Sequence, residues 1–210
     1  ANLTFLPCLG GLGEVFSSDI GPGNTMMDAY MQKHFAPLQY DQNAKIAASG
    51  KVNGDLLNAL LASPFLDQAF PKTTGPEVFN LGYLDAAIAQ TGGDELSKQD
   101  IMATLCEFSA VCIVNSICSL CAQLPNVHVY TSGGGIHNPL LMKRIEALLT
   151  KGLTQVNFGT TGLLALNPDA KEAVLFALLA NQTLCATDNE DSKSKANMPQ
   201  VSMGKISFPD

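Results

Sequence analysis

Two short stretches of this sequence pair bare backbone with the start of a helix, an arrangement that can hold an anion. The first is Thr131-Ser132-Gly133-Gly134-Gly135-Ile136-His137-Asn138-Pro139. A strand that runs into three glycines and then into an Asn-Pro helix start brings uncovered N–H groups and a positive helix end up to a ligand. The same glycines also suit a tight turn that needs positive φ, and the residues alone leave both readings open. The second stretch is Asp19-Ile20-Gly21-Pro22-Gly23-Asn24. It repeats the layout and adds a carboxylate at the strand end, where open α/β sheets place contacts to a metal-bound water or a hydroxyl. Its alternative is a capped turn in which Asp19 accepts backbone N–H groups. Two such turns in one α/β domain should face one cleft, because ligands gather at the carboxyl ends of parallel strands.

The remaining reactive side chains make weaker cases. Cys118 and Cys121 have the spacing of a zinc or redox pair, but no second Cys pair or His lies at a suitable distance and both fall inside a helical stretch. They read as small buried hydrophobes, together with Cys106 and Cys112. His34, His128 and His137 are isolated in sequence. No residue set for a protein-held metal is apparent.

The elements that must position these turns follow from hydrophobic spacing. Asn2 to Leu6 and Glu14 to Ile20 are strand-like, and Gly10-Gly11-Leu12-Gly13 between them suits a hairpin. Met26, Met27, Tyr30, Met31 and His34 recur at helical spacing after the Gly-Pro-Gly turn. Residues 36–54 are polar and turn-rich. A short helix through Leu56, Leu57, Leu60 and Leu61 should stop at Pro64, and an irregular stretch then runs from Phe65 to Leu81. A long helix from about Glu95 to Gln123 opens with Ser97 and Asp100 at capping-box spacing and is hydrophobic nearly all round, so it should be central.

Val127 to Thr131 is a strand, and Asn138 and Pro139 start an amphipathic helix with Leu141, Ile145, Leu148 and Leu149 inward. Gln155 to Phe158 is a further strand, and past Pro168 a helix runs through Ala170, Val174, Leu175, Leu178 and Leu179. The polar run Thr187 to Ala196 reads as a solvated loop, and Val201 to Phe208 as a short closing strand.

With 210 residues, 46% hydrophobic and 15% charged, the chain has the balance of one globular domain. Its net charge of -7, with only 12 Lys and Arg and no dense basic run, argues against nucleic acid or an anionic membrane surface as partner. The apolar run from Ile101 to Ala122 carries Glu107, Asn115 and several serines, which suits a buried helix better than lipid. Cysteine usage points to a reducing cytoplasm. The opening Ala1-Asn2-Leu3-Thr4 reads as the middle of a strand with no lead-in, as in a piece of a longer protein.

Ala1-Asn2-Leu3-Thr4, Asp19-x-Gly-Pro-Gly-Asn24, Pro71-Lys72-x-Thr74-Gly75-x-Glu77, Gly133-Gly-Gly-x-His-Asn-Pro-Leu-Leu-Met142 and Glu172 appear in the order found in anhydro-N-acetylmuramic acid kinases, and the chain resembles that family over nearly its whole length. The resemblance implies an α/β domain of the actin-like ATPase (ribonuclease H-like) type, a mixed sheet flanked by helices, forming the second lobe of a two-lobed sugar kinase whose N-terminal lobe is not in this chain. It implies ATP with Mg2+ clamped between the lobes. Asn2, Asp19, Gly21, Gly23, Asn24, Gly133, Gly134, Gly135 and Asn138 would serve the nucleotide, and Glu172 the sugar. It also implies that the water-activating aspartate lies upstream of Ala1, so this stretch alone would be inactive. Pro76 stands where the family has Arg, and the roles of Lys72, Thr74, Gly75 and Glu77 are open. A homodimer is compatible with the resemblance. Two rivals remain: a non-enzymatic ATP-dependent regulator, since fold does not fix function, and a redox or metal module built on the cysteine helix.

Overall fold

Antiparallel pairing opens the chain in the computed structural model, which describes residues 1–8, 14–92 and 96–185. Strand β1 (Asn2–Phe5) lies against β2 (Phe16–Asp19), with Asn2 opposite Asp19 and Phe5 opposite Phe16. The Phe5 and Phe16 rings stack at 5.7 Å, a cross-strand pair that helps fix the register. The predicted Gly10–Gly13 turn lies outside the described residues. Helix α1 (Thr25–His34) follows the Gly-Pro-Gly turn and buries Met26, Met27, Tyr30 and Met31, as its spacing predicts.

The segment 36–54 departs from expectation, because it carries a short helix, α2 (Lys45–Ser49). Five residues are too few for a periodic signal. The helix is held from outside: both carboxylate oxygens of Asp41 accept N–H groups, from Ile46 at 2.9 Å and Ala47 at 2.8 Å. Helix α3 (Gly54–Leu61) ends before Pro64 as predicted, with Asn53 capping the Leu56 N–H at 2.8 Å. The stretch read as irregular up to Leu81 gives way to an unpredicted helix, α4 (Leu81–Thr91). Its signals were in plain view: Asn80 caps Tyr83 N–H at 3.1 Å, and Gly92 takes φ +62 at the far end.

Helix α5 (Lys98–Cys121) is the centre of the fold, with Met102, Leu105, Phe108 and Ala110 fully buried. It starts where Ser97 accepts the Asp100 N–H at 3.1 Å, as the capping-box spacing predicts. By length and composition it could cross a membrane, yet 78% of its apolar window is buried inside this protein. Two of its polar side chains bond within the helix. Ser116 donates to the Cys112 carbonyl at 2.8 Å and Thr104 to that of Asp100 at 2.7 Å. Glu107 takes a bidentate pair of hydrogen bonds from Arg144, at 2.6 and 2.5 Å, which ties α5 to α6 (Pro139–Gly152).

Strand β3 (Val127–Thr131), helix α6 and strand β4 (Val156–Thr160) make a parallel strand–helix–strand unit, with Val127 opposite Val156 and Thr131 opposite Thr160. The single mixed sheet expected from the resemblance is not formed among the described residues. Among the described residues they form two separate two-stranded sheets, β1-β2 and β3-β4, with no ladder joining them. Helix α7 (Lys171–Cys185) closes the described chain. The loop predicted at 187–196 and the strand predicted at 201–208 lie outside the described residues.

Candidate functional site

A single side-chain contact links the starts of α1 and α6. Asn138, the residue before α6, places its Nδ2 4.0 Å from Sδ of Met27 in the first turn of α1. The Gly21–Gly23 turn is pinned to the central helix from the other side, where Ser109 of α5 donates to the Gly23 carbonyl at 2.6 Å.

The glycines do not all answer to the same need. Gly21 has φ +149, and a Cβ there would sit 2.9 Å from Cβ of Cys112; Gly23 has φ +58. The fold itself demands glycine at both positions. In the second turn only Gly133, with φ +82, has that excuse. A Cβ on Gly134 would meet nothing within 4 Å, and one on Gly135 would meet only Leu141 Cδ2 at 3.9 Å. Neither residue's N–H donates to a backbone carbonyl among the described residues. A turn needing glycine for its own shape accounts for Gly133 and leaves Gly134 and Gly135 unexplained.

Asn138 is 8% exposed, and its side-chain oxygen accepts the Leu141 N–H at 2.9 Å. It is occupied as a helix cap, which is the role its Asn-Pro sequence also predicts. Asn24 occupies the matching position before α1 but makes no such cap bond, and its Oδ1 is buried without a partner among the described residues. Thr74 Oγ1, and Thr161 Oγ1 after β4, are likewise buried without one among the described residues. Buried polar atoms are nearly always paired, so an orphan marks a place for a water or ligand atom.

Asp19 is half-buried, and its Oδ2 accepts the Thr74 N–H at 3.0 Å. Its Oδ1 has no hydrogen-bond donor among the described residues. Asn2 lies across the ladder from it. Lys72 and Ser18 complete this corner: Ser18 Oγ accepts the Lys72 N–H at 2.9 Å, and the Asp19 N–H donates to the Lys72 carbonyl at 2.9 Å. Ser18 carried no signal in the sequence, since its partner lies 54 residues away.

Glu172 lies in the first turn of α7, exposed and without a hydrogen bond or ion pair among the described residues. The start of its helix is tied to the second glycine turn. Gly133 N–H donates to the Pro168 carbonyl at 3.0 Å, and Nε2 of His137 lies 2.8 Å from Oδ1 of Asp169. His137, isolated in sequence, therefore has a partner, although both side chains are mostly exposed and the pair adds little stability. Cavities of about 370 and 320 Å³ lie elsewhere, by Asn126 to Asn157 and by Ala47 to Arg144, and neither is lined by a residue of either glycine turn. Gly133 and Gly134 are exposed, whereas Gly21 and Pro22 are buried.

Cys106, Cys112 and Cys121 are buried in α5 as expected, whereas Cys118 is only half-buried. Burial pushes the thiols of Cys106 and Cys112 up to about 12, so neither supplies thiolate at neutral pH. Among the described residues no group of three or more His, Cys, Asp or Glu could hold a metal. In native protein at pH 8, Cys106 and Cys112 should resist an alkylating reagent and react only after unfolding, as read by mass spectrometry. Rapid native labelling at either position would restore the redox reading.

Strand, glycine turn and helix start occur twice in this chain, which makes it an α/β domain of helices and small sheets. The sequence model of the anhydro-N-acetylmuramic acid kinase family matches residues 1–208, and the chain belongs to that family. It is 51% identical over all 210 residues to the anhydro-N-acetylmuramic acid kinase of Pseudoalteromonas atlantica and covers 52% of that protein. The relative of the same name from Pseudoalteromonas translucida is 50% identical, again with 100% of this chain and 52% of its own length covered. The one from Caldanaerobacter subterraneus is 35% identical over 99% of this chain and 52% of its own length. The chain thus spans about half the length of the curated relatives it matches.

Proposed function

We propose that this chain is the second lobe of a two-lobed, actin-like cytoplasmic kinase that uses ATP and water to convert 1,6-anhydro-N-acetylmuramic acid into N-acetylmuramic acid 6-phosphate during peptidoglycan recycling. The observation that carries the reading is the pair of glycines, Gly134 and Gly135, whose missing side chains the fold does not require. The names of the relatives supply the substrate class. The relatives' double length and the exposure of Gly133 and Gly134 support a second lobe that closes over that turn. Helix α7 points the same way: Val174, Leu175, Phe176 and Leu178 are all exposed, a composition that a helix keeps when another body covers it.

In this reading the N–H groups of Gly134 and Gly135 face the nucleotide. Asn2, Asp19 and the Gly21–Asn24 turn serve the phosphate end, beside the unpaired Asn24 and Thr74 oxygens. Asn138 shapes the second turn by capping α6. Glu172 accepts a hydrogen bond from a sugar hydroxyl. Magnesium, when bound with ATP, neutralises phosphate charge; Asp19, with Oδ1 open, is the carboxylate of this lobe that can meet its water shell. In the overall reaction water adds at C1 as the C1–O6 bond breaks, and O6 takes the γ-phosphoryl group from ATP, leaving ADP.

A second reading of Asp19 rests on the same open Oδ1. A carboxylate fixed by one N–H and bare at its other oxygen can accept the proton of an attacking water, which makes Asp19 a general-base candidate beside the aspartate expected upstream. The whole proposal is tested by supplying the complete two-lobed protein, and separately this chain alone, with the anhydro sugar and Mg-ATP. The complete protein should release the 6-phosphate and ADP together, and the isolated chain should release neither. Turnover by the isolated chain above a contaminant control would overturn the two-lobe division. ATP hydrolysis by the complete protein without sugar phosphorylation would favour the regulator.

A further inference from the structure

Lys72 is 7% exposed and, among the described residues, has no carboxylate within ion-pair distance. Its ammonium donates to the carbonyls of Phe65 at 3.0 Å and Leu66 at 2.8 Å, and lies 4.7 and 4.9 Å from the ring centres of Phe65 and Phe70. Burial lowers its pKa, as expected where the charged form loses water. A buried cation without an anion is a poor choice for stability alone, since an apolar side chain of similar length would fill the same slot at less desolvation cost. What an apolar side chain cannot do is gather two carbonyls and so fix the path of residues 65–72.

That path ends on Asp19. Ser18 Oγ accepts the Lys72 N–H at 2.9 Å and also lies 3.1 Å from the Lys72 carbonyl, to which it donates. The same carbonyl accepts the Asp19 N–H at 2.9 Å, and two residues further on the Thr74 N–H holds Asp19 Oδ2 at 3.0 Å. Segment 72–74 therefore grips Asp19 at its main chain and its carboxylate at once. We infer that Lys72 is a positioning residue, whose buried ammonium anchors the Ser18–Lys72–Thr74 clamp that aims the Asp19 carboxylate. The inference rests on the reading above that Asp19 works at the reacting end of the site, and it gives a role to Lys72 and Thr74 of the 71–77 motif.

The test is a double-mutant cycle in the complete two-lobed enzyme: Lys72→Met, Asp19→Asn and the two combined, with kcat and both KM values measured. Lys72→Met should lower kcat by roughly tenfold to a hundredfold, the scale of a misplaced catalytic group, and leave KM for ATP unchanged. The combined variant should be no slower than Asp19→Asn alone, because Lys72 acts through that carboxylate. If Lys72→Met keeps wild-type kcat, or if the two losses multiply, the clamp is only structural and the inference fails. Asp19→Asn with wild-type turnover would instead remove the reading of Asp19, and the clamp's purpose with it. Should Lys72→Met not fold, Ser18→Ala breaks the clamp at its other end and must show the same non-additive pattern.

Discussion

Gly134→Val in the complete enzyme should weaken binding of a non-hydrolysable ATP analogue by roughly a hundredfold, about 3 kcal/mol, while sugar affinity and Tm stay close to wild type. The structure makes this variant unusually clean. Gly134 is exposed, its φ is not in the left-handed region, and a Cβ there meets no protein atom within 4 Å. The added side chain therefore has little in the protein to strain against and obstructs only what comes to the backbone from outside. Gly133→Val is the control for the opposite case, since φ +82 makes it a folding defect first. Calorimetric titration with the analogue decides the matter alongside a thermal melt. A folded Gly134→Val protein with unchanged nucleotide affinity would return the whole turn to a purely structural role.

How far the sequence could be read depended on the range of the interactions. Local chemistry was legible: Asn138-Pro139 starts α6, Ser97 starts α5, and the Met26 to Met31 spacing gives α1. Helix α2 was missed because its five residues are stabilised by Asp41 and by contact with α5 rather than by a pattern of their own. Helix α4 was missed although Asn80 and Gly92 bracket it, because its flanks read as irregular.

The glycine turns were legible as a pair of motifs, but sequence could not separate the glycines the fold needs from those it does not. That distinction lies in φ values and in the atoms a Cβ would meet, such as Cys112 beside Gly21, some 90 residues on in the chain. The corner at Asp19 was illegible for the same reason. Ser18 meets Lys72 across 54 residues, Asp19 meets Thr74 across 55, and Gly23 meets Ser109 across 86. No periodicity or capping rule reaches that far.

Glu172→Gln should lose sugar turnover and little else. The carboxylate stands in the first turn of α7, exposed and unpaired among the described residues. A glutamate there has one bland explanation, its favourable place near the positive helix end, which at an exposed site is worth about 0.3–1 kcal/mol of stability. That explanation predicts a slightly lower Tm and wild-type kinetics. The geometry supports more, because the approach to α7 is tied to the second glycine turn through Gly133 N–H to the Pro168 carbonyl and through His137 to Asp169. Glu172 is thus held on a helix whose start is bonded to the second glycine turn, the one proposed to face the nucleotide. Replacing the carboxylate by an amide weakens a charge-assisted hydrogen bond to a sugar hydroxyl, a loss of about 1–3 kcal/mol, or roughly tenfold to a hundredfold in kcat/KM. In the complete enzyme that loss should appear against varied sugar, with KM for ATP and analogue affinity unchanged. Wild-type kinetics toward the sugar would leave Glu172 as a helix-start carboxylate and remove this lobe's only assigned contact to the sugar.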